Sequence, residues 1–104
     1  MRICSFPGAR EIGKPKDWDE QLDGACLSIF VADDIDVQSG LPVMYTLFKP
    51  SPEQIDALLR GGVLRLGIVG QRQHPVFNMC VLSPDLVERC GVVPEGDLGG
   101  EVIP

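Results

Sequence analysis

Lys49-Pro50-Ser51-Pro52-Glu53-Gln54-Ile55-Asp56-Ala57-Leu58-Leu59-Arg60-Gly61-Gly62 spells a complete helix with both ends marked. Lys49 precedes a proline, which biases it toward extended backbone. Ser51 is placed as the N-cap, and Pro52 takes the first helical position, where no N–H is needed. Gln54, three residues after the cap, completes a capping box. Ile55, Leu58 and Leu59 recur at i, i+3 and i+4 and form an apolar stripe expected to face a core. Arg60 puts a cation in the last turn, where the helix dipole favours one. Gly61 is free to take the left-handed conformation that closes a helix.

Apolar runs flank this helix on both sides. Residues 43–49 and 63–69 read as strands, as do residues 25–31 and 76–82, each apolar on both faces. The spacing predicts a strand pair at 25–31 and 43–49, joined by a polar loop at 33–40, and a second pair at 63–69 and 76–82. The expected fold is α+β: a mostly antiparallel four-stranded sheet in a β-β-α-β-β core, with short flanking helices. The early helix starts at Asp17, with Glu20 as its box partner and Gly24 as its stop. The late one repeats the Ser-Pro-acid opening at Ser83-Pro84-Asp85 and ends at Gly91. That echo of Ser51-Pro52-Glu53 is shared helix grammar and too short for a duplication. A chain of 104 residues is expected to be a single domain, residues 1–104. Within it, 1–16 is an irregular N-terminal segment broken by Pro7-Gly8, Gly13 and Pro15, with 1–6 a candidate short strand. Residues 92–104, rich in glycine, proline and acid, form a mobile tail or docking arm.

Composition bounds the function classes. The net charge is −6, with acids grouped at 17–23, at 33–36 and in the tail. Phosphate backbones demand the opposite sign, so no nucleic-acid partner is expected. No apolar run approaches the roughly 20 residues that span a bilayer, and the N-terminus carries no apolar signal stretch, so no membrane association and a cytoplasmic location are expected. Cys4, Cys26, Cys80 and Cys90 form no Cys-x-x-Cys pair and are expected as free thiols, with Cys26 and Cys80 buried in strands.

Each reactive residue type has a bland alternative. His74 is the single histidine and sits beside Pro75 in the turn between two strands. As a general base it would pair with Cys80 or Cys26, the arrangement of a Cys–His hydrolase. A buried strand is a poor setting for a thiolate, which needs positive charge and solvent. Asp33, Asp34 and Asp36 lack calcium-loop spacing and read as a solvated loop. No catalytic residue, metal ligand or cofactor is therefore assigned, and the chain is expected not to be an enzyme. A small-molecule pocket is the main alternative, placed between helix 52–60 and the sheet with His74, Tyr45, Trp18 and Arg72 as candidate ligand-binding residues.

The stretch Phe48-Lys49-Pro50-Ser51-Pro52-Glu53, with Leu58, Gly61-Gly62, Leu64, Leu66, Gly70 and His74-Pro75-Val76, resembles a pattern in small proteins of bacterial mobile DNA, of the phage or integron gene-cassette type. The resemblance implies a small stand-alone accessory protein and carries over no catalytic residue.

One further imbalance points to function. Four strands apolar on both faces need cover on both sides, and the three helices are too few and too short to supply it. A second copy of the chain is the expected cover, so a homodimer and a role in protein–protein contacts are the leading expectation.

Overall fold

The computed structural model describes residues 1–69 and 76–104. In chain order these form β1 (Arg2–Ile3), β2 (Arg10–Ile12), α1 (Glu20–Asp23), β3 (Ile29–Ile35), β4 (Pro42–Thr46), β5 (Phe48–Lys49), α2 (Pro52–Leu59), β6 (Val63–Val69), β7 (Val76–Leu82) and α3 (Pro84–Cys90). The class is α+β, and every ladder is antiparallel.

The marked helix forms as its sequence dictates. Ser51 Oγ accepts from Gln54 N at 3.2 Å, and Gln54 Oε1 accepts from Ser51 N at 2.7 Å, so the capping box is closed. Gly61 ends the helix at φ 110°, a conformation that favours glycine. Helix α3 follows the same grammar: Ser83 Oγ accepts from Leu86 N, and Gly91 adopts the left-handed conformation at φ 67°. Helix α1 begins later than the sequence suggests. Its cap is Asp19, whose side chain accepts from Gln21 N, while Asp23 reaches back to Asp19 N. The Trp18 indole donates to Gly24 O at 2.8 Å and ties the two ends of this short unit together.

Strand pairing departs from the simple reading. Three strands, β3, β4 and β5, lead into α2 and two follow it, and the strands fall in separate ladders, β2-β3-β4, β6-β7 and β1-β5, in place of one four-stranded sheet. The run at 43–49 is split after Thr46. Pro42–Thr46 pairs with β3, whereas Phe48–Lys49 crosses to Arg2–Ile3. Cys4 N donates to Leu47 O at this break. Strand β3 begins four residues beyond the expected start and runs on through Asp33 and Asp34, which were expected in a loop. A tight hairpin explains the shift: Asp36 N donates to Leu41 O, Gly40 N donates to Asp36 O, and the Asp36 carboxylate takes both Ser39 donors. Pairing on both sides of β3 outweighs the low strand propensity of two aspartates. The N-terminal segment is also less irregular than expected, because β2 adds a third strand to this sheet.

The core is small. Among the described residues only Val31, 2% exposed, and Pro15 are buried. The stripe of α2, expected to face a core, is largely open: Ile55 is 45% and Leu59 82% exposed. Helix α2 does meet the β6–β7 hairpin closely at one point. An ideal Cβ on Gly62 would lie 2.6 Å from Leu82 O and 2.7 Å from Ala57 O. Cys26 and Cys80, expected to be buried, are half-buried, and all four cysteines are free thiols.

The chain is expanded for its length. Its radius of gyration is 15.9 Å, against about 13 Å for a compact domain of this size. Its accessible surface is 8680 Å², where a folded monomer of this mass exposes about 5,700 Å². Referred to an extended chain of about 16,400 Å², folding removes about half of the surface instead of the usual two-thirds.

Candidate functional site

The sheet β2-β3-β4 and the β6–β7 hairpin each present an apolar face, and the two faces bound a cleft. On the sheet, register aligns Arg10, Val31 and Thr46 across three strands, with Ile12 and Ile29 beside them. Side chains directly opposite in a ladder share a face. Ile12, Ile29, Val31, Met44, Thr46 and Phe48 therefore form one wall. On the hairpin, Leu64 lies opposite Val81, Leu66 opposite Met79 and Ile68 opposite Phe77. Alternation along each strand places all six on one face. Leu66, Phe77 and Met79 supply the second wall of a cleft of about 350 Å³. A neighbouring cleft of about 240 Å³ is lined by Met1, Ile3, Ile29, Phe77 and Met79 among others.

Polar groups at the larger cleft are few and mostly committed. Arg10 Nε donates to Asp33 Oδ2 at 3.0 Å and Nη2 to Asp33 Oδ1 at 3.4 Å. Nη2 also contacts Met44 Sδ at 3.5 Å. The hydrogen bond from Arg10, aided by its charge, holds the Asp33 carboxyl below the ordinary carboxylate range, and Asp33 in turn raises the guanidinium. Asp36 is lowered in its own turn by the Ser39 hydroxyl and Ser39 N–H. Asp33 and Asp36 thus have separate partners, and Asp34 Oδ1 accepts from Ile35 N. Thr46 Oγ1 is buried without a hydrogen-bond partner among the described residues. Among the same residues, no group of three or more His, Cys, Asp or Glu side chains is placed to share a metal ion. Among the described residues, no helix is long and apolar enough to cross a membrane.

Of the residues singled out from the sequence, Tyr45 and Trp18 lie among the described residues and do not share a cleft. Tyr45 lies at the larger cleft, paired with Ala32 and stacked on Phe6 at 5.8 Å between ring centroids. Trp18 lines neither cleft and serves its local bond to Gly24. His74 and Arg72 lie outside the described residues. Helix α2 contributes no residue to either of these two clefts. Arg10, Met44, Phe77 and Met79 were not singled out. The signal for Arg10 is faint: Arg10-Glu11-Ile12 alternates, but three residues between Pro7-Gly8 and Gly13 look like a loop.

The larger apolar feature is the hairpin face to which the cleft wall belongs, which extends beyond the cleft. Leu64, Leu66 and Ile68 are 57%, 56% and 63% exposed, side by side on a strand. Val43, Met44, Ile55 and Leu59 add exposed apolar area elsewhere. A lone exposed leucine is ordinary, whereas a contiguous row of them marks a contact surface.

No family model matches the chain, and neither curated proteins nor solved structures show a significant similarity to it.

Proposed function

We propose that this chain is a non-enzymatic binding module that works through protein–protein contacts as a homodimer. The observation that carries the reading is the unburied surface. The chain exposes 8680 Å², about 3,000 Å² more than a folded monomer of its mass. Obligate dimers bury about 2,000–5,000 Å² in total, or roughly 1,000–2,500 Å² per chain. The surplus is large enough to supply such an interface. The resemblance of residues 48–76 to small proteins of bacterial mobile DNA suits an accessory role of this kind. Net charge of −6 argues against nucleic acid as the partner, and the four free thiols suit the reducing cytoplasm. Light scattering on the eluting protein at micromolar concentration tests the reading. A mass twice the 11.3 kDa of the chain is expected, and a uniform species at the single-chain mass overturns it.

A second reading rests on the cleft of about 350 Å³ between the sheet and the hairpin. Its volume falls in the range of small-molecule sites, and its walls are apolar with Arg10 and Tyr45 at hand. Such a site would take a flat apolar ligand with a hydrogen-bond acceptor. Thermal melting against a panel of aromatic carboxylates separates the readings. A saturable rise in Tm, lost in Met44→Lys, supports the pocket, and no rise across the panel removes it.

A further inference from the structure

We propose that the free edge of β6 is the dimer contact, pairing antiparallel with β6 of a second copy about a two-fold axis at Leu66. The two hairpins then form one four-stranded sheet in the order β7-β6-β6-β7. This rests on the homodimer reading and specifies the surface and register.

Strand β6 spans Val63–Val69, and β7 is its single ladder neighbour among the described residues. Its other edge therefore carries no ladder partner among the described residues. Natural edge strands are blunted by proline, lysine, inward charges, bulges or short length. Val63-Leu64-Arg65-Leu66-Gly67-Ile68-Val69 carries one charge, Arg65, and no proline, lysine or acid, and its seven residues pair with β7 in unbroken register. A long, regular edge with a single charge is a template for another strand.

The hairpin has a second edge, on β7, but that strand faces the body of the molecule. Val76, Phe77 and Met79 line the smaller cleft, and helix α2 packs on β7. Strand β6 reaches the larger cleft through Leu66 alone, and Leu64, Leu66 and Ile68 are all more than half exposed.

Self-complementarity selects the partner and the register. A two-fold at Leu66 sets Val63 opposite Val69, Leu64 opposite Ile68, Arg65 opposite Gly67, and Leu66 opposite its own copy. It is the centre of the strand, so this register pairs all seven residues of Val63–Val69. Moving the axis to Arg65 would place two like charges face to face, which is unfavourable across a ladder. Moving it to Gly67 would place two glycines at the centre and set Val63 and Leu64 opposite positions beyond the described strand. With the axis at Leu66, each Arg65 side chain meets a glycine and has room to reach solvent. The row Leu64, Leu66, Ile68 meets its own copy on the same face. With Phe77, Met79 and Val81 from each β7, it forms one apolar surface across four strands. A charged or unlike partner would not satisfy this match as well as a second copy does.

The test uses the charge of residue 66. Leu66→Glu alone and Leu66→Lys alone are each expected to weaken the dimer about a hundredfold, because like charges would meet on the axis. Equimolar mixing of the two variants is expected to restore a dimer of one chain of each kind, read by light scattering and native mass spectrometry. Val37→Glu, in the β3–β4 turn at 98% exposure, is expected to leave the dimer unchanged. If both Leu66 variants stay dimeric, edge pairing is overturned while the homodimer reading stands. If both dissociate and mixing restores nothing, the axis at Leu66 is overturned. A wild-type monomer removes the homodimer reading itself. Should a variant fail to fold by circular dichroism, amide exchange on the unaltered protein decides. Exchange across Val63–Val69 is expected to slow as concentration rises through the dimer midpoint, and concentration-independent exchange there overturns the pairing.

Discussion

Val31→Asp is expected to abolish the cooperative thermal unfolding of this protein near room temperature and above. Val31 is 2% exposed and sits mid-strand between Arg10 on β2 and Thr46 on β4. Burying its side chain contributes about 1.5–3 kcal/mol, and a carboxylate in its place loses that contribution. An unpaired buried charge costs a further amount of about 3–5 kcal/mol. Arg10 is the nearest cation, but both its Nε and Nη2 already donate to Asp33 at 3.0 and 3.4 Å. A domain of this length has a total stability of about 5–15 kcal/mol. The substitution removes about half or more of that, a fall in Tm of roughly 15–30 °C or more. Val31→Ala keeps the site neutral and is expected to cost about 2 kcal/mol, the scale of lost methyl groups plus a cavity. Melting followed by circular dichroism measures both. A Val31→Asp protein melting within a few degrees of wild type would show that the sheet is not organised around this residue.

The second large effect is expected at Gly62. Here the constraint is space and not a left-handed φ. A Cβ would meet Leu82 O at 2.6 Å and Ala57 O at 2.7 Å, both backbone atoms that cannot swing aside. Gly62→Ala must therefore push α2 away from β7, at a cost of about 2–3 kcal/mol on the scale of overpacking. Gly67→Ala is the internal comparison. Its Cβ would contact the side chain of Asn78, the opposite residue on β7, which is exposed and free to rotate. That change is expected to cost less than about 1 kcal/mol. Urea unfolding of the two variants at one protein concentration gives the comparison. Equal midpoints for Gly62→Ala and Gly67→Ala would remove the idea that α2 is seated on the hairpin through this glycine.

These two sites differ in how far the sequence discloses them. Gly62 stands next to the helix-closing Gly61 and looks like a second turn glycine. Its close approach to Leu82 depends on how α2 folds back on β7, which is a tertiary fact. Val31 closes an apolar run and reads as a core residue directly, but nothing local says that it is the most buried hydrophobic side chain. That follows from β2 and β4 both pairing with β3. The cleft residues follow the same division. Tyr45 is a candidate ligand-binding residue from the sequence alone, whereas Arg10 and Met44 gain significance only where pairing sets them around Asp33.

What the sequence determined by itself is local and short-range. The Ser51 and Ser83 caps, the proline starts, the glycine stops and the strands at Val63–Val69 and Val76–Leu82 are written in residues within a few positions of each other. Such features are governed by backbone sterics and by hydrogen bonds between near neighbours, so they survive without knowledge of the rest of the chain. The sequence also declared an apolar surplus, since the number of apolar faces and covering helices can be counted before folding. The tertiary structure decided which strand pairs with which. It moved Asp33 and Asp34 from a loop into a strand, split residues 43–49 between two ladders, and left β6 with β7 as its one ladder neighbour among the described residues. Ladder pairing is set by contacts between residues far apart in the chain, and a competing partner can override any local preference. For the same reason the surplus became a located surface, with Leu66 at its centre, only once the folded chain showed where cover was missing.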